Sequence, residues 1–254
     1  MGVRLVNVNA GSVDEYGFFC ARNRKEEGYQ KKRAWLMQRF GEGLQIKILQ
    51  SDAGQDLGFI DYVPGEYAWR PVDAKGYLFI HCIFIARKEH RGLDLGAQLI
   101  QACVDDAERT GRNGVAVACS DGPWIAGKSL FLKNGFRVVD RLGRYELLVR
   151  NIRPAGPPAF IPWEARQAQY RGWHLVVAHQ CPWHAKACRD LTGAAKERGL
   201  ELRVTEITDA AAAQQSPSGF GVFALLHDGK LLADHYVSKT RFLNILKEEG
   251  IINQ

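Results

Sequence analysis

A glycine-bearing turn in the first half of the chain carries the clearest chemical signal in the sequence. It reads Arg91-Gly92-Leu93-Asp94-Leu95-Gly96 and lies between an apolar run and a helical pattern. The first N–H groups of a helix have no intrahelical acceptor, and the helix dipole adds partial positive charge at the same point. Glycine lets a ligand approach that backbone closely. Together these features favour binding of a phosphate or pyrophosphate group at the turn.

A strand before this turn and a helix after it would hold it in place. Residues 77–86 form an apolar run rich in β-branched and aromatic side chains, which predicts a buried strand. Apolar residues after the turn recur at helical spacing, which predicts an amphipathic helix. Its apolar face consists of Leu95, Leu99, Ile100, Cys103, Val104 and Ala107.

The strand, turn and helix resemble the acetyl-CoA motif of the GNAT acyltransferase superfamily, Arg/Gln-x-x-Gly-x-Gly/Ala. Arg91 and Gly96 match its first and last positions, and Asp94 stands where the family has glycine. Asp94 either faces the diphosphate, which its charge would repel, or caps the helix through its carboxylate. The resemblance implies acetyl-CoA as cosubstrate, with pantetheine held by the backbone of Ile83, Phe84 and Ile85 and pyrophosphate by Arg91, Gly92, Leu93, Asp94, Leu95 and Gly96.

Residues 130–136, Leu-Phe-Leu-Lys-Asn-Gly-Phe, resemble the family's Leu-Tyr-x-x-x-Gly-Phe segment. The family's tyrosine lies near the CoA sulfur and often protonates the departing thiolate. Phe131 takes that position here, which places it at the cofactor, but its ring has no proton to donate. Because a positioned general acid is worth roughly 10²–10⁴ in rate, the acid must lie elsewhere or be water.

His81 and Cys119 are the candidates for catalysis in this half. His81 lies in the central strand, and histidine ordinarily titrates near neutral pH. The alternative is a hydrogen-bonded core histidine. Cys119 ends a predicted strand over 114–119, where the sites of open α/β sheets gather, or it is a small buried filler. Glu66, in the loop before the central strand, is a further candidate.

The remaining patterns divide the chain into two domains. A GNAT-like domain is expected over 1–150, with strands over 4–8, 44–50 and 57–63, helices over 14–40 and 122–133, and a hairpin over 136–150. Prolines crowd residues 151–170, which predicts a stiff linker that is neither regular helix nor central strand and is docked through Phe160 and Trp163. A second domain is expected over 171–254.

Residues 171–254 are predicted to fold as strand, helix, strand, then two strands and a helix, which is the thioredoxin order. Cys181-Pro182-Trp183-His184 stands where thioredoxins carry Cys-x-x-Cys. This half resembles the YoaP-type C-terminal domain of certain bacterial GNAT proteins. The expected fold class is therefore α/β, a GNAT-like mixed-sheet domain followed by a smaller thioredoxin-like α/β domain.

Cys181 allows several interpretations. A disulfide with Cys188 is excluded, because the helix between them spans roughly 10 Å, whereas a disulfide needs Cα atoms within about 7 Å. A metal site would use His179, Cys181, His184 and Cys188, but this spacing matches no standard zinc pattern, and no metal is expected. A single reactive or catalytic thiol is favoured instead, activated by the helix N-terminus and His184. The alternative is a vestigial thioredoxin fold used for recognition or dimerisation.

Composition narrows the class of protein. The chain has 254 residues, 24% of them charged, and a net charge of +6 spread along it, as in globular proteins that do not bind nucleic acid. No signal peptide or bilayer-length apolar run is evident, and six scattered cysteines suit a reducing cytoplasm. We therefore expect a cytoplasmic N-acyltransferase acting on a small amine, without nucleic acid or membrane partners and with homodimerisation open. The alternative is a non-acetylating CoA- or ligand-binding protein whose thiol domain senses electrophiles, redox state or metals.

Overall fold

The computed structural model describes residues 2–86 and 94–252. The chain divides into two compact units. The larger comprises Met1–Arg22, Leu36–Ala68 and Val72–Ile161, and the smaller comprises Asn23–Trp35, Trp69–Pro71 and Pro162–Gln254. The second unit thus includes two short segments from the first half of the chain. The domain limits of 1–150 and 171–254 stay a prediction.

The elements up to residue 161 include the strands of one large sheet. In chain order they are β1 (Val3–Val8), α1 (Val13–Tyr16), α2 (Glu27–Phe40), β2 (Gln45–Ser51), β3 (Asp56–Pro64), a 3₁₀ turn (Gly65–Tyr67), β4 (Val72–Asp73), β5 (Leu78–Ile85), α3 (Leu95–Arg109), β6 (Gly114–Cys119), α4 (Ser129–Lys133), β7 (Arg137–Leu142), β8 (Tyr145–Asn151) and β9 (Ala159–Phe160).

Seven of the described strands form this sheet, in the order β1-β2-β3-β5-β6-β8-β7. All neighbours are antiparallel except β5 and β6, which run parallel because α3 connects them. The apolar face of α3 packs on the sheet, with Leu99, Ile100 and Cys103 fully buried. This arrangement confirms the predicted mixed-sheet α/β class and fixes α3 behind the β5–β6 pair.

A buried polar contact also ties α3 to the sheet. The Tyr62 hydroxyl donates a hydrogen bond to Asp106 at 2.5 Å, and Lys47 Nζ lies 3.1 Å from the same carboxylate oxygen. Burying a carboxylate is costly unless it is paired, so these two partners stabilise Asp106 inside the fold. Hydrogen bonds from Tyr62, Arg109 and Lys47 hold the pKa of Asp106 below its usual value, although burial alone would raise it.

Two sequence expectations need correction in this half. The helix predicted over 122–133 begins only at Ser129, because the preceding segment contains Gly122 and Gly127 and turns at Trp124, whose φ is 66°. The alternating pattern at 44–50 predicts a half-buried strand, but β2 is buried at almost every residue. The proline-rich segment includes β9, which pairs with the short strand β4 and not with the large sheet, in agreement with the prediction that this segment is no central strand.

The elements from residue 162 onward surround a second sheet. They are α5 (Glu164–Gln167), β10 (Trp173–Val177), α6 (Pro182–Lys196), β11 (Leu202–Glu206), α7 (Ala210–Gln214), β12 (Phe223–His227), β13 (Lys230–Ala233) and α8 (Lys239–Glu248). The described strands have the order β11-β10-β12-β13, with β10 and β11 parallel and the other pairs antiparallel.

This second half follows the predicted element order, with two additions. The linker contains the single-turn helix α5, and Asp209 caps α7, which the sequence pattern did not predict, by accepting from the Ala212 N–H. Phe160 and Trp163, the predicted docking residues of the linker, are both buried. The thioredoxin-like character of this unit stays a prediction. No helix in the described part of the chain has the length and apolarity that a bilayer crossing requires.

Candidate active site and the Cys181 region

The large sheet opens between its two parallel strands. Strands β5 and β6 pair only from Leu78↔Val115 to Ile80↔Val117. Beyond that point β5 remains paired with β3 as far as Ile85, and β6 with β8 as far as Cys119. A strand edge presents N–H and C=O groups, and an extended ligand containing amides can pair with such groups as an added strand does. The opening therefore places the backbone of 83–85 where a ligand of this shape could bind.

A β-bulge in β5 sets which side chains border the opening. Asp61 pairs with Cys82 and Tyr62 with Ile80, so His81 is the extra residue. The bulge shifts the alternation of the strand, so that Ile83 and Ile85 pack toward the α3 core. Phe84 is 51% exposed and Cys82 is also exposed. His81 is buried, with its ring 5.7 Å from that of Phe79.

Asp94 precedes the first turn of α3 and has a left-handed backbone, with φ of 53°. Glycine adopts this conformation at little cost, which gives a physical reason for glycine at this place in the motif. The Asp94 side chain is exposed and makes no capping hydrogen bond to the helix, so the cap interpretation is wrong. Leu95 and Gly96 are buried in the first turn. Arg91, Gly92 and Leu93 lie outside the described residues.

Cys119 and Phe131 are both fully buried. Burial raises the pKa of the Cys119 thiol to about 12, an environment that suits packing better than acid–base work near neutral pH. The Phe131 ring packs edge-on against Phe136 at 5.3 Å between centroids. Its predicted contact with the cofactor stays a prediction, and in this structure the ring fills the core.

A polar cluster at the end of β6 was not predicted from the sequence. Arg144 donates from Nη1 to Ser120 Oγ at 3.0 Å and from Nη2 to the Tyr145 hydroxyl at 3.0 Å. The Gly122 N–H also donates to Ser120 Oγ, at 3.2 Å. Next to it, Glu146 pairs with Lys128 at 2.6 Å and Arg141 at 3.0 Å, and hydrogen bonding by Lys128 lowers the pKa of that carboxyl.

In the smaller unit, Cys181 occupies the N-cap position of α6 and is half-buried, as its predicted placement requires. His184 is fully buried, and its Nδ1–H donates to the Ala178 carbonyl at 2.7 Å. Burial lowers the pKa of His184 to about 4, so the ring is neutral at neutral pH. His184 is predicted from the sequence to give Cys181 either positive charge or a hydrogen bond. A neutral ring does not supply the charge, and the hydrogen bond stays a prediction.

The other proposed ligands near Cys181 are not arranged as a metal site. Within the described ranges, no group of three or more His, Cys, Asp or Glu side chains is placed to hold a metal ion. Burial raises the pKa of Cys188 to about 11, and His179 lies 3.3 Å from Glu206. The arrangement therefore gives no support to a ligand set made of His179, Cys181, His184 and Cys188.

Segments from early in the chain pack around the start of α6 within the smaller unit. Arg70 is buried and donates from Nη1 to Gln180 Oε1 at 3.0 Å. Gly221 lies so close to this segment that a Cβ there would be 2.6 Å from the Trp69 carbonyl oxygen. A Cβ at Gly28 would be even closer to its neighbour, the Pro182 carbonyl oxygen. Residues on both sides of Cys181 are thus covered by the chain itself.

Comparison with known proteins agrees with the resemblance drawn from the sequence. Residues 202–244 match the YoaP-like family. Over 248 residues the chain is 23% identical to an uncharacterized N-acetyltransferase YoaP of Bacillus subtilis, spanning 95% of this chain and 97% of that protein. The predicted YoaP-type GNAT resemblance is confirmed. The finer thioredoxin-like assignment is untested by these matches.

Two further known proteins are each similar to part of the chain. An L-methionine sulfoximine/L-methionine sulfone acetyltransferase of Pseudomonas paraeruginosa is 30% identical over 107 residues, which are 42% of this chain and 59% of that protein. A solved structure, the PaiA N-acetyltransferase of Thermoplasma acidophilum in complex with coenzyme A, is 13% identical with a TM-score of 0.43 and covers 59% of this chain and 99% of that one.

Proposed function

We propose that the protein is an acyl-CoA-dependent N-acyltransferase that moves an acetyl group from acetyl-CoA to a small amine by direct attack in a ternary complex. The observation that carries the proposal is the opening between β5 and β6 beyond Ile80, followed in the chain by the first turn of α3. The YoaP relative, itself named an N-acetyltransferase, supports it over nearly the whole chain.

The two parts of the site suit the two ends of the cosubstrate. Pantetheine contains two amides, which pair with the strand edge at 83–85 as an added strand would. The pyrophosphate takes the free N–H groups at the start of α3, next to Asp94, Leu95 and Gly96. Arg91, Gly92 and Leu93 complete the motif in the sequence.

Of the residues predicted to act in catalysis, we retain His81 as the candidate base. It lies at the bulge of the strand that borders the opening, and bulges often re-aim side chains beside active sites. The buried Cys119 is better explained as a packing residue, and Cys181 belongs to the second unit.

The test is calorimetry of the full chain with CoA and with acetyl-CoA, followed by thiol-release assays with a panel of small amines. Adenosine 3′,5′-bisphosphate and 4′-phosphopantetheine, the two halves of CoA, serve as controls and should each bind more weakly than CoA. Absence of binding by both CoA and acetyl-CoA would overturn the assignment.

A second candidate is a CoA- or ligand-binding protein that does not transfer acetyl groups and whose Cys181 unit senses electrophiles or redox state. The replacement of the motif tyrosine by Phe131 favours it, because that residue cannot protonate a leaving thiolate. Binding of CoA together with no thiol release for any amine in the panel would favour this second function.

A further inference from the structure

Acetyl transfer from a thioester needs a group that stabilises the departing sulfur. Negative charge develops on the sulfur as the C–S bond breaks, and placed hydrogen-bond donors are an effective way to stabilise such charge. Phe131 stands where the resemblance expects a donor and is buried in the core. If the proposed function holds, the donor is water or another group that borders the opening between β5 and β6.

Ser120 has the hydrogen-bond geometry of such a donor. Its oxygen accepts from Arg144 Nη1 at 3.0 Å and from the Gly122 N–H at 3.2 Å. A serine hydroxyl has two acceptor lone pairs and one proton, so two incoming donors leave it only its proton to offer. No acceptor for that proton is found among the described residues. The guanidinium of Arg144 is permanently charged. Its hydrogen bond to the Ser120 oxygen therefore also makes the Ser120 hydroxyl a stronger hydrogen-bond donor.

The position of Ser120 fits the path of the thioester. It directly follows Cys119, the last residue of β6. Pairing of β5 and β6 stops at Ile80↔Val117, and continuing that register past the bulge brings Ser120 level with the 83–85 stretch. Ser120 is only 5% exposed, and a hydrogen bond is electrostatically stronger in such a shielded place than in water.

We propose that Ser120 donates the hydrogen bond that stabilises the leaving CoA thiolate, with Arg144 as its positioning residue. The amine nitrogen forms a bond to the thioester carbonyl carbon, the C–S bond breaks, and the electron pair of that bond stays on sulfur as the thiolate. Ser120 keeps its proton and donates it in a hydrogen bond to the sulfur. The proton that the amine loses passes to a base or to water.

The experiment uses the full chain carrying Ser120→Ala or Ser120→Thr, with Ser129→Ala as a control at an exposed serine. Two measurements are made. Steady-state kinetics gives kcat and the KM for acetyl-CoA, and difference absorbance gives the fraction of bound CoA that is thiolate. Ser120→Ala should lower kcat by about 100-fold, as loss of an oxyanion-hole donor does. KM should stay within about twofold, because the lost interaction forms only as the bond breaks.

The thiolate fraction reports the same hydrogen bond without catalysis. Ser120→Ala should bind CoA with about tenfold less thiolate at a given pH, whereas Ser120→Thr and Ser129→Ala should match the wild type. Arg144→Gln, which removes one of the two donors to the serine oxygen, should give an intermediate loss. This variant provides the test if Ser120→Ala fails to fold.

Two results would overturn the inference in different ways. If the wild type binds CoA and acetylates an amine while Ser120→Ala equals Ser129→Ala in both measurements, Ser120 has no such role and the proposed function stands. If the wild type binds no CoA, the proposed function fails and the role of Ser120 fails with it.

Discussion

At the residue scale, Asp94 tests where the diphosphate lies. Its exposed carboxylate makes no bond to the helix, so replacing it removes charge without removing a cap. We expect Asp94→Asn and Asp94→Gly each to tighten CoA binding about fivefold, because a negative charge at a helix N-terminus that binds phosphate is repulsive. Calorimetry measures this change, and thermal melting checks that the fold is kept.

Comparison of Asp94→Asn with Asp94→Gly separates the effect of the lost charge on CoA binding from the effect of the backbone conformation. Asparagine tolerates the left-handed conformation almost as aspartate does, whereas glycine also relieves its cost. Tighter binding by Asp94→Gly alone would assign the effect to the backbone. No change in either variant would place the diphosphate away from α3.

His184 makes a second residue-scale prediction, on pH and stability. Burial is the main reason that its pKa falls from 6.5 to about 4 in the folded chain, and the nearby charges of Arg70 and Lys32 contribute in the same direction. Between these values the unfolded chain binds a proton that the folded chain does not, so stability falls as the pH drops from 6.5 to 4. The loss is on the order of 3 kcal/mol and is complete below pH 4.

Urea unfolding at several pH values between 7 and 4 measures this loss. His184→Gln should remove it, so the difference in unfolding free energy between variant and wild type should depend on pH. Equal slopes for His184→Gln and the wild type would contradict the buried, neutral state of His184.

At the scale of elements, the sequence predicted the local strand-turn-helix pattern and the strands around it, because their periodicity is visible in a short window. It did not predict the bulge at His81, since a bulge depends on the pairing with β3. Exposure of Cys82 follows from that bulge. The cluster of Ser120 with Arg144 was also invisible, because 24 residues separate its members and β8 brings them together.

The smaller unit shows the same limit of local reasoning. Its strands and helices follow the predicted order, and Ser238 caps α8 as the sequence indicated. The packing of Arg70 on Gln180 and of Gly28 on Pro182 could not be predicted, because neither pair has a signal in local periodicity. Helix α7 could have been predicted from local sequence, because Asp209, a good N-cap residue, stands before an alanine run.

Gly221 makes the element-scale prediction. Its φ of 79° favours glycine, and a Cβ there would lie 2.6 Å from the Trp69 carbonyl oxygen and 2.8 Å from the Arg70 Cα. Gly221→Ala should therefore lower the free energy of unfolding by more than about 2 kcal/mol, from backbone strain and overpacking together. Gly172→Ala is the matched control, with φ of 76° and open space around the added methyl group.

The control isolates the packing of the Trp69–Pro71 segment. Gly172→Ala carries only the backbone cost, about 1 kcal/mol. Denaturant unfolding of both variants gives the difference, which reports the close approach at Gly221. Equal losses in the two variants would mean that this segment moves away from Gly221 at little cost.

At the scale of the whole molecule, the six cysteines divide by environment. Burial raises the pKa of Cys103, Cys119 and Cys188, which slows their reaction because the thiolate is the nucleophile. Cys20 is half-buried and has no helix N-terminus beside it. Cys82 is exposed on β5, contrary to the expectation that an apolar strand would bury it, and Cys181 lies at the N-cap of α6.

These environments predict a pattern of labelling by iodoacetamide near neutral pH, mapped by peptide mass spectrometry. Cys82 and Cys181 should be alkylated before the other four thiols. Acetyl-CoA at ten times its Kd should slow labelling of Cys82 about tenfold, because only the unbound fraction reacts and Cys82 directly precedes the stretch proposed to pair with pantetheine. Labelling of Cys181 should not change. Acetyl-CoA is used because the free thiol of CoA would consume the reagent.

Cys82→Ser and Cys181→Ser confirm the peptide assignments and serve as controls for each other. Protection of Cys181 with none at Cys82 would move the ligand from the β5–β6 opening to the smaller unit and contradict the proposed site. Earlier labelling of Cys20 or Cys188 would remove the reason to regard Cys181 as a reactive thiol, since neither has a helix N-terminus to stabilise its thiolate. The smaller unit would then be better explained as a structural domain.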